Sequence, residues 1–163
     1  MKIIKNAQRC TGLLIPLMLG LLITLTAFIA VKLCVSDMSY KSSEHSTEEL
    51  YQDISISLLM PYIQNEIDEY YSKYLTQLPM VAPYTVYILS AERPNGYRTF
   101  FFRIKLKVIS YIGPHNNVGL DYITVAVGGS GEVTIEKFEH IKSFVLPPNY
   151  EDIIKKGYQN PIP

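Results

Sequence analysis

The sequence predicts an α+β protein in which an N-terminal transmembrane helix precedes a kinked helix pair packed on a four-stranded antiparallel meander. Three observations lead to this fold class. Residues 10–33 form an apolar run, apolar side chains recur at helical spacing over 50–74, and from Tyr84 onward apolar and polar residues alternate. The length of 163 residues suits one modest domain beside the apolar run.

The N-terminal segment is interpreted as an uncleaved membrane anchor. Three basic residues lie within 1–9, and the run 10–33 that follows is long enough for a bilayer core of about 30 Å. The basic residues should hold the N-terminus in the cytoplasm and leave the C-terminal domain outside, as a single-pass protein of the cell membrane. The alternative is a signal peptide whose cleavage leaves a secreted protein.

A polar segment and the charge balance indicate how the domain is attached and which partner is not expected. Residues 34–46 are polar and serine-rich, which is typical of a short tether. From Met38 onward the chain carries 11 Lys and Arg against 14 Asp and Glu, so nucleic acid is not an expected partner. Cys10 and Cys34 flank the apolar run and lie too far apart to pair. The exported domain has no cysteine, so it needs no disulfide to fold.

The folded domain, expected over 47–144, begins with a helix signal. Ser46 and Glu49 have the spacing of a capping box. Pro61 is expected to interrupt the helix and produce a kinked pair. Apolar residues recur at helical spacing on both sides of this proline and are expected to pack on the sheet. They are Leu50, Ile54 and Leu58 before Pro61, and Ile63, Ile67, Tyr70 and Tyr74 after it.

Four strand-like runs follow, joined by turns that are short enough to connect antiparallel neighbours. In the second run, apolar side chains alternate with a basic row formed by Arg103, Lys105 and Lys107. This row is a candidate anion-binding face, and a solvated face of an antiparallel sheet has the same pattern. The four runs lie at about 84–92, 97–111, 119–127 and 132–141.

Helices on one face of such a sheet suggest a strongly bent sheet wrapped on a helix, as in cystatin-like or nuclear-transport-factor-like folds. That comparison carries no function. After Phe144, residues 145–163 are interpreted as a proline-rich C-terminal arm with a short helix near 150–156. We expect this arm to be less ordered than the domain.

A second candidate site lies at one edge of the predicted sheet. In a meander, the end of the second strand, the start of the third and the end of the fourth meet at the same edge. With the last turn centred near Ser130, two carboxylates face each other there, which raises a carboxylate pKa or requires a cation nearby. The edge is therefore either a binding site or a structural clasp in which histidine neutralises the carboxylates. Its residues are Tyr111, His115, Asp121, Glu139 and His140.

Motifs that would name a reaction are missing from the sequence. It holds no His-Glu-x-x-His zinc motif, no Cys-x-x-Cys pair and no phosphate-binding glycine loop. The stretch GGSGE at 128–132 lacks the closing glycine of a nucleophile elbow. We therefore expect no cofactor, no metal and no enzymatic activity. A small hydrolase or isomerase with His115 or Asp121 as general base is the enzymatic alternative.

Several runs of the chain resemble the domain-of-unknown-function 3888 family, whose members are small uncharacterised bacterial domains of spore-forming Gram-positive organisms. They are LLMPYIQNEIDEYYSKYL, YTVYILSAERPNGYRTFFFRIKLKV, YIGPHNNVGLDYITV and TIEKFEHIK. The resemblance runs from about Glu49 to Phe144 and implies an exported domain, with no reaction or ligand attached.

These expectations favour one function over two others. The first is a membrane-anchored extracytoplasmic binding or sensing module for an unknown small ligand, peptide, wall polymer or protein. The second is a structural or accessory protein of an envelope or sporulation assembly. The third is the small hydrolase or isomerase.

Overall fold

One long helix and a four-stranded sheet make up residues 42–163, the part of the chain that the computed structural model describes. Two short 3₁₀ helices, Pro83–Thr85 and Pro148–Ile153, lie before the sheet and after it. The main elements are α1 (Thr47–Tyr71), β1 (Val86–Glu92), β2 (Phe102–Ile112), β3 (Asn116–Val127) and β4 (Val133–Ser143).

Helix α1 begins where the sequence predicts. The Ser46 side chain accepts a hydrogen bond from the Glu49 backbone N–H at 3.1 Å. The Glu49 carboxylate in turn accepts one from the His45 backbone N–H at 2.6 Å. These two bonds satisfy backbone donors that would otherwise be left free at the start of the helix.

The predicted pair of helices is wrong, because α1 continues through Pro61. Pro61 has no N–H group, so the carbonyl of Ser57 loses its helical partner. Both residues lie on the exposed side of α1, where water can satisfy a carbonyl group. On the opposite side, buried Leu59 and Ile63 hold the two flanking turns against the sheet, and the helix is therefore maintained.

The predicted transmembrane helix is also corrected. Within residues 42–163, no helix is long and apolar enough to cross a membrane. Helix α1 has 25 residues, and six of them are acidic. The predicted span, 10–33, lies outside the described residues, as does most of the predicted tether, 34–46. The described fold is thus one helix on a four-stranded sheet.

The sheet is the predicted antiparallel meander, with strand order β1-β2-β3-β4. Strands β3 and β4 pair next to their turn with the register that the sequence predicts. Farther along β4, Glu136 is an extra residue that has no opposite residue in β3. Beyond it, the pairing of the two strands is shifted by one position. This bulge places His140, rather than Glu139, opposite Asp121.

The core lies between α1 and one face of the sheet. A stripe of α1 residues, spaced three and four apart, meets alternate residues of the central strands such as Leu106 and Ile123, both fully buried. Tyr71 is fully buried as well, whereas its neighbour Tyr70 only packs against the core. The buried residues of α1 are Ile56, Leu59, Ile63, Ile67 and Tyr71.

The apolar stripe predicted for the first half of α1 is outside this core. Leu50, Ile54 and Leu58 are 56%, 46% and 71% exposed. Ile56 and Leu59 take the buried positions of this half of the helix instead. Residues 42–163 therefore leave one apolar side of α1 uncovered, and we call these three residues the exposed stripe.

The segment after β4 packs on the domain, so the interpretation of 145–163 as a separate arm is corrected. Leu146, Ile153 and Ile162 are buried in the core. The Asn160 side chain bonds both the backbone N–H and the carbonyl of Leu146 at 2.8 Å. Apolar burial and these bonds together fix the segment against the end of α1.

Candidate functional site

The sheet-edge residues predicted as one site separate into three places. Asp121 and His140 meet beneath α1, where His140 Nδ1 lies 2.6 Å from Asp121 Oδ1. The Tyr71 hydroxyl donates to Asp121 Oδ2 at 3.0 Å. His140 Nε2 lies 2.9 Å from Ser143 Oγ. We call Tyr71, Asp121, His140 and Ser143 the clasp, because its hydrogen bonds join α1, β3 and β4.

Burial governs the electrostatics of the clasp. Asp121 is fully buried, and burial raises the pKa of its carboxyl group, while the hydrogen bonds from His140 and Tyr71 act in the opposite direction. Burial also raises the pKa of the Tyr71 hydroxyl, and the nearby Asp121 carboxylate adds to that rise. Tyr71 therefore stays protonated and remains a donor to Asp121.

The connectivity from Ser143 through His140 to Asp121 matches that of a serine hydrolase triad, in which the imidazole bonds the nucleophile through Nε2 and the carboxylate through Nδ1. The surroundings favour a structural role. The Tyr70 ring stacks on the imidazole, with centroids 5.0 Å apart and an angle of 21° between the planes. Within residues 42–163, Ser143 lines none of the three best-defined cavities.

Gly119 makes room for the clasp. A methyl group at this position would occupy the same space as the Tyr71 hydroxyl. The φ angle of Gly119 lies outside the left-handed region, so glycine is required here for space. Gly113, in the preceding turn, does have a positive φ of 55°.

His115 belongs to a different group of side chains. It lies in the β2–β3 turn with a φ angle of +64°, and its ring centroid is 4.9 Å from that of Tyr111. The Tyr84 hydroxyl lies 3.3 Å from His115 Nδ1. These three side chains form an aromatic cluster at the surface, and the structure does not join it to Asp121.

Glu139 lies among lysines. Its carboxylate is 2.7 Å from Lys137 Nζ and 3.9 Å from Lys105 Nζ, and the bond from Lys137 lowers the pKa of Glu139. The like-charge pair predicted for Asp121 and Glu139 is therefore not formed. The bulge at Glu136 explains the difference, because a shift of one residue moves a strand position to the other face.

The basic row of β2 is largely engaged within the protein. Arg103 bonds both carboxylate oxygens of Glu136, at 2.5 and 3.1 Å, and one oxygen of Glu92 at 3.2 Å. Lys107 lies over the Tyr87 ring, with Nζ 5.5 Å from the centroid. Lys105 shares Glu139 with Lys137. An anion would have to compete with these contacts, which weakens the case for an anion-binding face.

A cavity of about 570 Å³ lies between the first half of α1 and the far end of the sheet. This volume is within the range of small-molecule sites. Its walls are mainly apolar, and it opens to solvent beside Leu58 of the exposed stripe. The lining includes Leu58, Leu59, Tyr62, Phe102, Ile104 and Val133.

Sequence reasoning missed both Tyr71 and this cavity. The signal for Tyr71 was present, because Ile63, Ile67 and Tyr71 are spaced four residues apart. The cavity had no local signal. It depends on how far α1 stands from the sheet at one end, which helical or strand spacing does not encode.

Metal binding has no support within the described residues. Among residues 42–163, no three side chains of His, Cys, Asp or Glu are grouped so that they could hold a metal ion. The clasp contributes one carboxylate and one imidazole, and the Tyr71 hydroxyl occupies the second carboxylate oxygen.

Comparison with protein families gives one match. Residues 51–142 match the family described as Protein of unknown function (DUF3888). The chain belongs to this family. The matched region contains most of α1, all of the first three strands and nearly all of β4. No curated protein and no solved structure matches the chain, so the likeness to cystatin-like or nuclear-transport-factor-like folds stays a prediction.

Proposed function

We propose that this domain is a non-enzymatic binding module that receives an apolar group in the cavity between α1 and the sheet. The cavity carries the proposal, because a concave apolar site of this size that opens to solvent is the usual form of a ligand site. The exposed stripe adjoins it and extends the apolar surface. Soluble domains rarely leave such contiguous apolar surface without a use.

The proposal places the module outside the cytoplasm. The support is the sequence of residues 1–33 alone, in which a basic segment precedes an apolar run. The mass of the mature protein tests the form of export, because cleavage would remove about 30 N-terminal residues. A protein recovered from the cytoplasm with its N-terminus intact would contradict this location.

Photolabelling tests the apolar site. The full chain would be held in nanodiscs of zwitterionic lipid and exposed to a diazirine analogue of 1-decanol, a neutral apolar probe. We expect saturable labelling of peptides that contain Leu58 and Phe102, which lie on opposite walls of the cavity.

Two serines of α1 supply a matched pair of variants. Ser55 lines the cavity, whereas Ser57 is exposed on the same helix. Ser55→Phe should fill the cavity and abolish the saturable labelling, and Ser57→Phe should leave it unchanged. Labelling that Ser55→Phe does not alter, or that spreads evenly over the surface, would overturn the proposal.

The absence of enzymatic activity is part of the same proposal. A fluorophosphonate probe reacts with a serine that a histidine activates. Since Tyr70 covers the imidazole of the clasp, Ser143 should remain unlabelled. Labelling of Ser143 that His140→Gln abolishes would establish a nucleophile and contradict a non-enzymatic role.

A further inference from the structure

The segment of the chain that carries the exposed stripe has charged side chains of only one sign. From Ser42 to Ser72 the chain has seven acidic residues and no lysine or arginine. Glu48 and Asp53 are exposed, and neither bonds a partner within residues 42–163. On a helix, Asp53 lies three residues after Leu50, so its carboxylate borders the exposed stripe. Glu48 lies in the same turn as Leu50 but on another side of the helix.

Two basic residues near the opposite wall of the cavity have contacts within the protein. Arg103 is held by Glu92 and Glu136. The Arg93 guanidinium lies over the Phe102 ring, 5.2 Å from its centroid, and keeps its positive charge there. On the α1 side of the opening, where the exposed stripe lies, the charge is negative.

From this apolar and acidic combination, we propose that the partner is a cationic amphipathic helix that lies along the exposed stripe and inserts an apolar side chain into the cavity. The inference rests on the proposed function and names the chemistry of its partner. A helix that binds an apolar groove contributes anchors spaced three, four and seven residues apart. Leu50, Ile54 and Leu58, four residues apart, form an apolar surface along which such anchors can pack. Lysine or arginine beside those anchors would lie close to Asp53 and would be attracted by the other acidic residues of α1.

The same charges disfavour two other occupants. A second copy that packed α1 against α1 would bring acidic residues together, and like charges across an interface oppose association. A fatty acid that lay along the exposed stripe would bring its carboxylate beside α1, which has no lysine or arginine. A basic partner gains favourable charge contacts from the acidic residues of α1, so the charge of this helix favours it among the three.

Two labelled peptides test the inference. Both carry leucine at the same helical spacing, and one has lysine where the other has glutamate at the polar positions. Fluorescence anisotropy would follow their binding to the full chain in zwitterionic nanodiscs, with the signal of empty nanodiscs subtracted. We expect saturable binding of the lysine peptide and binding at least about tenfold weaker for the glutamate peptide.

Variants test whether the lysine peptide binds at the exposed stripe and whether the nearby charges contribute. Leu58→Ser should abolish binding of the lysine peptide. The double variant Glu48→Gln and Asp53→Asn should weaken it by about three- to tenfold and reduce its dependence on salt. The matched control Glu151→Gln and Asp152→Asn removes two acidic residues at the other end of the chain and should leave binding unchanged.

Equal binding of the two peptides, or no binding of the lysine peptide, would overturn the inference. Dimers whose cross-links join two copies of the exposed stripe, together with no peptide binding, would also overturn it in favour of a second copy. The decanol probe separates the two proposals. If it still labels the cavity while the lysine peptide fails to bind, the proposed function stands and only the cationic partner is wrong.

Discussion

Helix α1 has two apolar sides that differ in what covers them, a covered side that faces the sheet and an uncovered side formed by the exposed stripe. After Pro61, Ile63 and Ile67 lie fully buried against the sheet. Before Pro61, Leu50 and Leu58 are mostly exposed, although they recur at the same helical spacing. Apolar spacing therefore predicts a helix with an apolar side, and the fold decides whether that side serves the core or remains available for binding.

The largest loss of stability is expected on the covered side. Ile67→Ala removes a fully buried side chain and leaves a cavity, which should lower the free energy of unfolding by about 2–5 kcal/mol. Ile54→Ala is the matched change on the uncovered side and should cost less than about 0.5 kcal/mol. Chemical denaturation of both variants measures the difference. Equal losses would mean that the uncovered side also belongs to the core.

The next largest loss of stability is expected in the clasp. Tyr71→Phe removes the hydroxyl that donates to Asp121 and leaves one buried carboxylate oxygen without this partner. We expect a loss of about 1–3 kcal/mol. Tyr97→Phe alters a tyrosine that is 88% exposed and serves as the control. If Tyr71→Phe is as stable as this control, the clasp does not hold the fold.

The clasp also predicts a dependence of stability on pH. Because burial raises the pKa of Asp121 in the folded protein, the folded state binds this proton more readily than the unfolded chain does. As the pH falls through the raised pKa towards the ordinary value of 3.8, the contribution of Asp121 to the free energy of unfolding increases.

Asp121→Asn lacks that contribution. The free energy of unfolding of the wild type, minus that of the variant, should therefore rise as the pH falls through this range. Denaturation curves at several pH values provide the measurement. A difference that shrinks on acidification would show that the bonds from His140 and Tyr71 outweigh burial at Asp121.

Local signals predicted the elements of this fold well. The capping residues Ser46 and Glu49 marked the start of α1, and the change to alternating spacing marked the four strands. The helix break at Pro61 was predicted wrongly, because packing on both sides of a proline can maintain a helix. That tertiary effect has no local signature.

The candidate site was less predictable, because it depends on register and on long-range contacts. The extra residue Glu136 places His140 opposite Asp121. The alternation of apolar and polar residues in the sequence does not reveal such a bulge. Tyr71 reaches Asp121 across 50 positions of sequence. The sequence did indicate a clasp between an acidic residue and a histidine, whereas its placement of His115 and Glu139 beside Asp121 was wrong.

The smallest effect on stability should occur where the effect on binding is largest, at Leu58. The most direct measurement is the melting temperature of wild type and Leu58→Ser, each as the full chain in zwitterionic nanodiscs, with and without 1-decanol. Without the probe, the two proteins should melt at nearly the same temperature, because Leu58 is 71% exposed. With it, we expect a saturable rise for the wild type and none for Leu58→Ser. A large drop for Leu58→Ser without the probe, or an equal rise for both proteins with it, would contradict a binding role for the uncovered side of α1.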